Sequence, residues 1–362
     1  MRLVSTLDRI ERICGRDLDE RALRVALLEV IRAQVACDAY AWVLTDPETL
    51  VGSAPLAETP SLADLPALIR FKYLTTVNRW TALAPGMAVT LLGATAGDRS
   101  QSRLWGELLS GYGIDDVVST VFSDAYGCWA FLDLWRRGGP FTDTERDFLG
   151  RVGTIVAPAL RRSLAATFAL GGSALVRRRE PVLLLLSDDL MPLTQTPQTD
   201  AYLRALLPTE AERAPVPAGA LHVGAQLLAQ EQGVDAHPAW ARVHLHAGVW
   251  VTLRAARMVA GSAAAAASIA VTIEATAPEE RTALYARLCG LSERETELLT
   301  HLVGGADTQE LARRLFVSQH TVQDHLKSVF AKTGAGNRRV LVARATGAVQ
   351  EPLQPGRTSP DS

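Results

Sequence analysis

The order of apolar and polar positions predicts a first domain that mixes helices and strands. Residues 20–45 have helical periodicity that runs into the apolar stretch Tyr40–Leu44, which predicts a helix followed by a strand. The runs DVVSTVF and CWAFLDLWRR flank a turn at 124–127 and predict a hairpin. The second run is apolar on both faces, so we expect a central strand there.

The same domain is expected to contain a loop and to end in a long helix. Residues 53–66 are rich in Pro, Ala and Asp and are interpreted as a connection without regular structure. Thr142 and Glu145 form a capping-box pattern ahead of an amphipathic run, which predicts a helix start. We therefore place a first α+β domain at residues 15–168.

A second α+β domain is predicted at residues 178–276, after a linker that contains Gly171–Ser173 and Arg177–Arg179. PVLLLLSDDL predicts a strand, TQTPQTD a polar loop and AYLRALL a helix. ARVHLHAGVWVTLRAARM and SIAVTIEA predict a hairpin and a last strand. The alanine run 263–267 is interpreted as a loop insertion.

The C-terminal part has the pattern of short, capped helices. Pro278, with two glutamates after it, predicts the start of a connector helix over 277–290. Residues 291–350 predict four helices with apolar faces and a tight break at 316–318, which is typical of an all-α helix-turn-helix domain. The tail 351–362 is expected to be disordered.

Length and composition agree with several folded domains. A chain of 362 residues exceeds one ordinary domain, and 48% hydrophobic residues suffice to form cores. The four cysteines are scattered, without a C-x-x-C pair, which favours a reducing compartment over a disulfide framework. Since Arg2 follows Met1 without an apolar leader and no span of about 20 apolar residues occurs, we expect a cytoplasmic protein that does not enter a membrane.

One face of the third predicted helix of the C-terminal domain carries candidate recognition chemistry. Val322, Leu326 and Val329 occupy one side at helical spacing, so the polar positions must share the opposite side. That opposite side carries four hydrogen-bonding residues: His320, Gln323, Asp324 and Lys327. Gln can recognise adenine, Lys guanine and Asp cytosine in a major groove, so we predict base contacts by these four.

Positive charge is concentrated around that helix. Residues 305–350 contain seven basic and three acidic residues, a net charge of +4, in a chain whose formal net charge is −2. Because phosphate attraction needs a local basic patch and not a basic protein, the charge pattern is compatible with DNA binding. Ser318 and Thr321, with the amides at the helix start, are expected to hold phosphates.

The C-terminal motifs resemble the LuxR-type DNA-binding domain, also called the GerE or NarL type. The resemblance covers about 60 residues and rests on four matched segments: Leu291-Ser292-x-Arg294-Glu295, Glu310-Leu311-Ala312, Leu315-Phe316-Val317-Ser318 and Thr321-Val322-x-x-His325. Lys332 and Arg338 follow downstream. The chain departs from the family pattern at Gln323, where lysine is common, and at 335–337, where Val-x-Ser is usual.

The resemblance implies that Gln323, Asp324 and Lys327 occupy base-contacting positions and that the fourth helix can mediate dimerisation. The expected phosphate-contacting set comprises Ser318, Thr321, His325, Lys332, Arg338 and Arg339. Double-stranded DNA and a second copy of the chain are therefore the expected partners.

The first two domains resemble sensor domains. The first is similar to a GAF domain of actinobacterial sensor regulators in its element order and in the pattern Trp105, Phe122, Gly127-x-Trp129 and Pro140-Phe141-Thr142. The second is similar to a PAS domain in its terminal hairpin, His246-x-Gly248-x-Trp250-Val251. Domains of this kind have room for a small-molecule ligand, whose identity the sequence leaves open.

Other chemistry has less support in the sequence. His244 and His246, with His222 or His237, are candidate metal ligands, but exposed strand histidines are far commoner, so we expect no metal and no cofactor. Sulfoxide reduction would need cooperating cysteines, and Cys14, Cys37 and Cys128 are widely separated. The sequence contains no P-loop lysine, G-x-S-x-G or H-E-x-x-H motif, so we expect a protein that is not an enzyme.

Two functions remain after these arguments. The first is a one-component transcriptional regulator, whose sensor domains modulate a dimeric DNA-reading domain. The alternative is a regulator whose helical C-terminal domain docks another protein instead of DNA.

Overall fold

The computed structural model describes residues 2–170, 182–206, 215–246, 248–259 and 268–348. The predicted linker with Gly171–Ser173 and Arg177–Arg179, the alanine insertion at 263–267 and the tail at 351–362 lie outside these residues.

The first unit is a five-stranded antiparallel sheet with helices before, between and after its strands. The strands are β1 (Ala39–Thr45), β2 (Gly52–Glu58), β3 (Ala88–Thr90), β4 (Asp116–Asp124) and β5 (Gly127–Arg136). The helices are α1 (Arg2–Cys14), α2 (Glu20–Gln34), α3 (Leu65–Leu74), α4 (Leu91–Ala94), α5 (Arg103–Glu107) and α6 (Asp143–Ala166). The strand order is β2-β1-β5-β4-β3, which confirms β5 as the predicted central strand.

The predicted long helix is confirmed, and its start has the expected chemistry. The Thr142 side chain accepts from the Glu145 amide, while the Glu145 carboxylate accepts from the Thr142 amide at 2.8 Å. The inward face of α6 packs in a core with α1, whose Leu7, Ile10 and Ile13 are buried although they precede the predicted domain start at residue 15.

The connection predicted at 53–66 is wrong in its first half, because β2 runs there as an edge strand. Pro55 interrupts the alternation that signals a strand, yet proline is tolerated at a sheet edge, where one side of the backbone needs no partner. The predicted polar loop TQTPQTD is wrong at its start, because an edge strand runs there as well. Its first two residues end β7 (Pro192–Gln195), an exposed strand at the edge of the second sheet.

The second unit repeats the sheet arrangement of the first. Its strands are β6 (Val182–Leu186), β7, β8 (Trp240–His246), β9 (Val249–Arg257) and β10 (Ile269–Ala275), in the order β7-β6-β10-β9-β8. Numbered from one within each unit, both sheets have the order 2-1-5-4-3 with antiparallel neighbours. The predicted strand, hairpin and last strand of this unit are confirmed.

Two helices accompany the second sheet: α7 (Thr199–Leu206), which was predicted, and α8 (Ala218–Glu231), which was not. Helix α8 packs against α3 and β2 of the first unit and against β9 of its own sheet. Ala220, Val223 and Ala225 are completely buried, as expected for a helix covered on several sides.

The C-terminal unit consists of helices, as predicted. The connector helix is α9 (Pro278–Leu288), and the four following helices are α10 (Glu293–Val303), α11 (Thr308–Arg314), α12 (Gln319–Thr333) and α13 (Arg338–Thr346). Side chains of Ser292, Asp307, Ser318 and Asn337 each accept a backbone hydrogen bond at the start of α10, α11, α12 and α13, respectively. These caps satisfy amides that lack helical partners and so fix where each helix begins.

Buried polar contacts join the three units. Arg242 of β8 holds Asp46 of the first unit with hydrogen bonds of 2.7 and 2.9 Å and donates to the Glu280 carbonyl of α9 at 3.2 Å. The Trp250 indole of the second unit donates to the Thr167 hydroxyl just after α6 at 3.1 Å. The apolar core of α1, α2 and α6 also continues into α9 and the helices after it.

Candidate nucleic-acid interface

Helix α12 is held in the C-terminal domain by one apolar side. Val322 and Val329 are completely buried and Leu326 is 2% exposed. The Ser318 hydroxyl accepts from the Thr321 amide at 3.1 Å and caps the helix start. The turn before it places Phe316 in the left-handed region, with φ of 56°, and leaves its ring 94% exposed.

The four predicted base-contacting residues lie together on the opposite, exposed side of α12. The exposed side-chain fractions are 86% for His320, 55% for Asp324 and 74% for Lys327, and Gln323 is exposed as well. Their exposed position agrees with the helical periodicity, because the buried apolar side of α12 faces the core of the domain. Contact of these side chains with bases stays a prediction.

Charges on this face are paired in the free chain. The Asp324 carboxylate lies 3.2 Å from the Lys327 ammonium and 3.6 Å from the nearer His320 ring nitrogen. The hydrogen bond from Lys327, with the nearby histidine charge, lowers the pKa of Asp324. Because the pair is exposed, it costs little to open, and Lys327 is available to an acceptor on a ligand.

The predicted phosphate-contacting residues fall into two groups. Ser318 and Arg339 are exposed, and Thr321 and His325 are partly exposed on α12. Arg338 instead donates to the Thr308 hydroxyl of α11 at 2.7 Å, and it is partly buried.

Lys332 has a structural partner that the sequence did not indicate. Its ammonium lies 2.6 Å from the Glu295 carboxylate of α10, which also accepts from the Ser328 hydroxyl at 2.6 Å and from the Ser292 amide at 2.7 Å. Burial alone would raise the pKa of Glu295, but these hydrogen bonds and the Lys332 charge lower it to about 2. The only sequence signal at Glu295 was its capping-box spacing from Ser292, which says nothing about a partner in α12.

Three of the four candidate metal ligands, His222, His237 and His244, make separate contacts in the described part of the chain. The His222 ring is 4% exposed and lies 3.1 Å from the Tyr73 hydroxyl, and burial lowers the pKa of His222 to about 3. His237 pairs with Asp235 at 2.6 Å, and His244 accepts from the Gly248 amide at 3.2 Å. The His246 side chain lies outside the described part of the chain, within which no cluster of three or more His, Cys, Asp or Glu residues is arranged to hold a metal ion.

A small cavity lies where the first sheet meets α3 and α8, and no sequence motif pointed to it. Its volume is about 60 Å³, and its wall includes the Lys72–Asp133 ion pair at 2.7 Å as well as Tyr73 and His222. One oxygen of Asp133 has no hydrogen-bond partner among the described residues, although the side chain is buried. Because the wall combines residues of the first and second units, only the tertiary structure could show it.

The C-terminal domain matches a known family. Residues 290–345 match the family described as "Bacterial regulatory proteins, luxR family", so this segment is a LuxR-family helix-turn-helix domain. Within residues 2–170, 182–206, 215–246, 248–259 and 268–348, no helix is both long and apolar enough to span a bilayer.

Curated relatives share this domain. The probable csgAB operon transcriptional regulatory protein of Salmonella typhimurium and the CsgBAC operon transcriptional regulatory protein of Escherichia coli are each 44% identical over 55 residues, covering 15% of this chain and 26% of theirs. The probable transcriptional regulatory protein SgaR of Hyphomicrobium methylovorum is 42% identical over 53 residues, 15% of this chain and 25% of its own. The chain thus spans about a quarter of the length of these relatives.

Among solved structures, Escherichia coli SdiA aligns over 96% of this chain and 98% of its own, at 13% identity and a TM-score of 0.34.

Proposed function

We propose that this chain, whose residues 290–345 form a LuxR-family helix-turn-helix domain, is a sequence-specific DNA-binding transcriptional regulator. The observation that carries the proposal is the exposed face of α12, where Gln323 and Lys327 project from a helix anchored by buried Val322 and Val329. The family match and the names of the curated relatives support the same function.

Helix α12 enters the major groove in this proposal. A groove about 12 Å wide admits one helix, and the exposed face offers donors and an acceptor for base edges. Lys327 leaves Asp324 to reach guanine, and the released carboxylate then accepts from cytosine. The first turn of α12, with Ser318 and Thr321, contacts a phosphate, and Arg339 adds a second positive contact.

The regulator acts as a homodimer in the cytoplasm and has no catalytic activity of its own. Two copies of α12 then bind half-sites about one helical turn apart. The fourth helix of the domain, α13, is the family position for dimer contacts.

The first two units act as GAF-like and PAS-like sensor domains that modulate DNA binding. The shared strand order of their sheets supports a common sensor architecture for both. The cavity beside Lys72 and Asp133 supports a small-molecule site, because a buried acceptor without a partner can bind a ligand hydrogen. Arg242, which joins both units to α9, provides the route to the DNA-binding domain.

The direct test is fluorescence anisotropy of the full chain on labelled DNA from upstream of its own gene, at 50 and 200 mM salt. We expect specific binding that weakens by orders of magnitude over that range, because phosphate contacts release counterions. Random DNA of equal length is the control and should bind far more weakly.

The alternative function, a helical domain that docks a protein, gives a different result. Equal and weak affinity for both DNAs would reject the proposal and favour the docking alternative. In that case, pull-downs with the parent chain and with the double variant Gln323→Ala, Lys327→Ala would be compared. Proteins retained by the parent but not by the variant depend on the exposed face of α12.

A further inference from the structure

A second and larger cavity lies between the first unit and the C-terminal domain. Its volume is about 340 Å³, and its wall is built by α6 on one side and by α9, α12 and α13 on the other. The cavity therefore exists only while the C-terminal helices pack on α6. Arg161 of α6 secures that packing, since it donates to the Leu288 carbonyl of α9 at 3.0 Å.

The wall of this cavity is strongly basic. Four cationic side chains line it, and no acidic residue does among the described lining: Arg161, Arg162, Lys332 and Arg344. Arg161 is neutralised by Asp124 at 2.7 Å and Lys332 by Glu295 at 2.6 Å.

Arg162 and Arg344 have no carboxylate partner of this kind among the described residues. Arg162 donates to the Cys14 carbonyl at 3.0 Å, and Arg344 donates to the Thr333 carbonyl at 3.1 Å. Within the described ranges, no carboxylate oxygen lies within 4.0 Å of either guanidinium. Two uncompensated positive charges, one from each domain, thus border the same cavity.

A buried hydroxyl behind the same wall lacks a well-formed hydrogen bond. Tyr285 is 1% exposed and its ring stacks on Phe168 at 4.9 Å. Its hydroxyl makes no hydrogen bond of good geometry with a described residue, although Arg344, Thr333 and Cys289 lie close to it. Burial raises the pKa of Tyr285 to about 12, so the hydroxyl keeps its proton and remains a donor. A buried donor without a well-placed acceptor is unfavourable. The hydroxyl is closed to the cavity in this structure, so a ligand must shift the Tyr285 ring slightly to supply that acceptor.

We propose that this cavity binds a small phosphate monoester. Two guanidinium groups and a phenol supply separate donors for the three terminal oxygens of a phosphate, and guanidinium geometry matches such oxygens well. Leu288, Ala165 and Ala169 give the rest of the wall an apolar surface for the organic part of the ligand. A bound phosphate bridges Arg162 of α6 and Arg344 of α13 and so holds the C-terminal domain against the first unit.

The regulatory consequence rests on the proposed function, whereas binding itself does not. With the C-terminal domain held in place, the two α12 helices of a dimer lose freedom to adjust to paired half-sites. Occupancy is therefore expected to change the affinity for operator DNA, without any contact between ligand and DNA.

Isothermal titration of the full chain with phenyl phosphate tests the site, with inorganic phosphate and benzoate titrated in parallel. We expect one phenyl phosphate per chain and at least tenfold weaker binding of the other two probes. Arg162→Gln and Arg344→Gln should each weaken phenyl phosphate at least tenfold. Arg294→Gln, on an exposed arginine of α10 away from the cavity, is the matched control and should bind as the parent does.

Tyr285→Phe separates binding from folding. It keeps the stacked ring and removes only the poorly hydrogen-bonded hydroxyl, so the melting temperature should hold while phenyl phosphate affinity falls. The proposal is overturned if no saturable heat appears, if benzoate binds as tightly as phenyl phosphate, or if Arg162→Gln, at an exposed position, binds like the parent. If the chain binds phenyl phosphate but not DNA, only the proposed function is contradicted. If it binds DNA but not phenyl phosphate, only the proposed phosphate site is contradicted.

Discussion

Arg242 and Asp46 form a buried ion pair that joins the first and second units. The guanidinium donates to both carboxylate oxygens, at 2.7 and 2.9 Å, and the residues are 3% and 1% exposed. The same guanidinium reaches the Glu280 carbonyl at 3.2 Å and the Glu48 carboxylate at 3.1 Å. One side chain therefore ties the first unit, the second unit and the helix that leads to the DNA-binding domain.

Asp46→Ala is expected to lower the free energy of unfolding by ~3–5 kcal/mol, because it leaves a buried arginine without its main counter-charge. Urea denaturation followed by tryptophan fluorescence measures this loss. Glu48→Ala is the matched control, since Glu48 is 51% exposed and its pair should contribute under about 1 kcal/mol. Similar losses for the two variants would show that burial does not decide the strength of this contact.

Glu295 predicts an acid-dependent stability of the C-terminal domain. Its pKa is about 2 in the folded chain against an ordinary 4.5, so the ionised form stabilises the fold at neutral pH. Since the folded pKa is the lower one, this contribution is complete above about pH 5 and is lost as the pH falls toward 2.

The variant Glu295→Gln removes that titration. Between pH 5 and 2, parent stability should fall more than variant stability by up to ~3 kcal/mol, as chemical denaturation at each pH would measure. Glu293→Gln, an exposed carboxylate in the same first turn, is the control and should follow the parent. Parallel curves for parent and Glu295→Gln would contradict the role assigned to this carboxylate.

Residues that contact bases and residues that contact phosphates should differ in how their substitution changes affinity for operator and for random DNA. Gln323→Ala and Lys327→Ala are each expected to weaken binding to operator DNA by ~1–3 kcal/mol. Binding to random DNA should weaken less, because base contacts carry the sequence preference. Arg338→Ala and Arg339→Ala should weaken both DNAs alike and reduce the salt dependence. Anisotropy titrations on both DNAs measure this; equal losses on the two DNAs for Gln323→Ala would exclude a reading role.

Phe316 occupies a backbone conformation that favours other residues. Its φ is 56° and its ring is 94% exposed, so the ring gains nothing from burial. Phe316→Asn is expected to raise stability by ~0.5–1 kcal/mol, because asparagine tolerates the left-handed region better. A lower melting temperature would contradict this.

Leu190 provides the matched comparison for Phe316. It has a similar φ of 61° but is completely buried, so Leu190→Asn should destabilise the chain by burying an amide in an apolar core. The opposite signs expected for the two variants test whether exposure or backbone conformation governs each position.

Local signals in the sequence predicted most of the C-terminal domain. Ser292, Asp307 and Ser318 precede apolar helical spacing, and each caps the helix that was expected after it. Such signals act within one or two turns of the chain, so no distant contact is needed to interpret them. The exposed face of α12 followed from the same periodicity.

The edge strands were harder to predict because their sequences carry weak patterns. Pro55 breaks the alternation in β2, and β7 is exposed along its length. Both strands form because a neighbouring strand offers backbone partners, which the local sequence does not encode. Helix α8 was missed because it is apolar on several sides, and periodicity identifies only helices with one apolar face.

The sequence by itself determined the helix-turn-helix, the central strands and the residues on the outer face of α12, since periodicity and capping are local properties. Tertiary structure alone decided that Lys332 turns toward Glu295, that Arg242 joins three units and that Arg162 and Arg344 border one cavity. The physical reason is that ion pairs and cavities depend on distances between segments remote in the chain. Those distances are set by the packing of whole domains, and no spacing along the sequence specifies them.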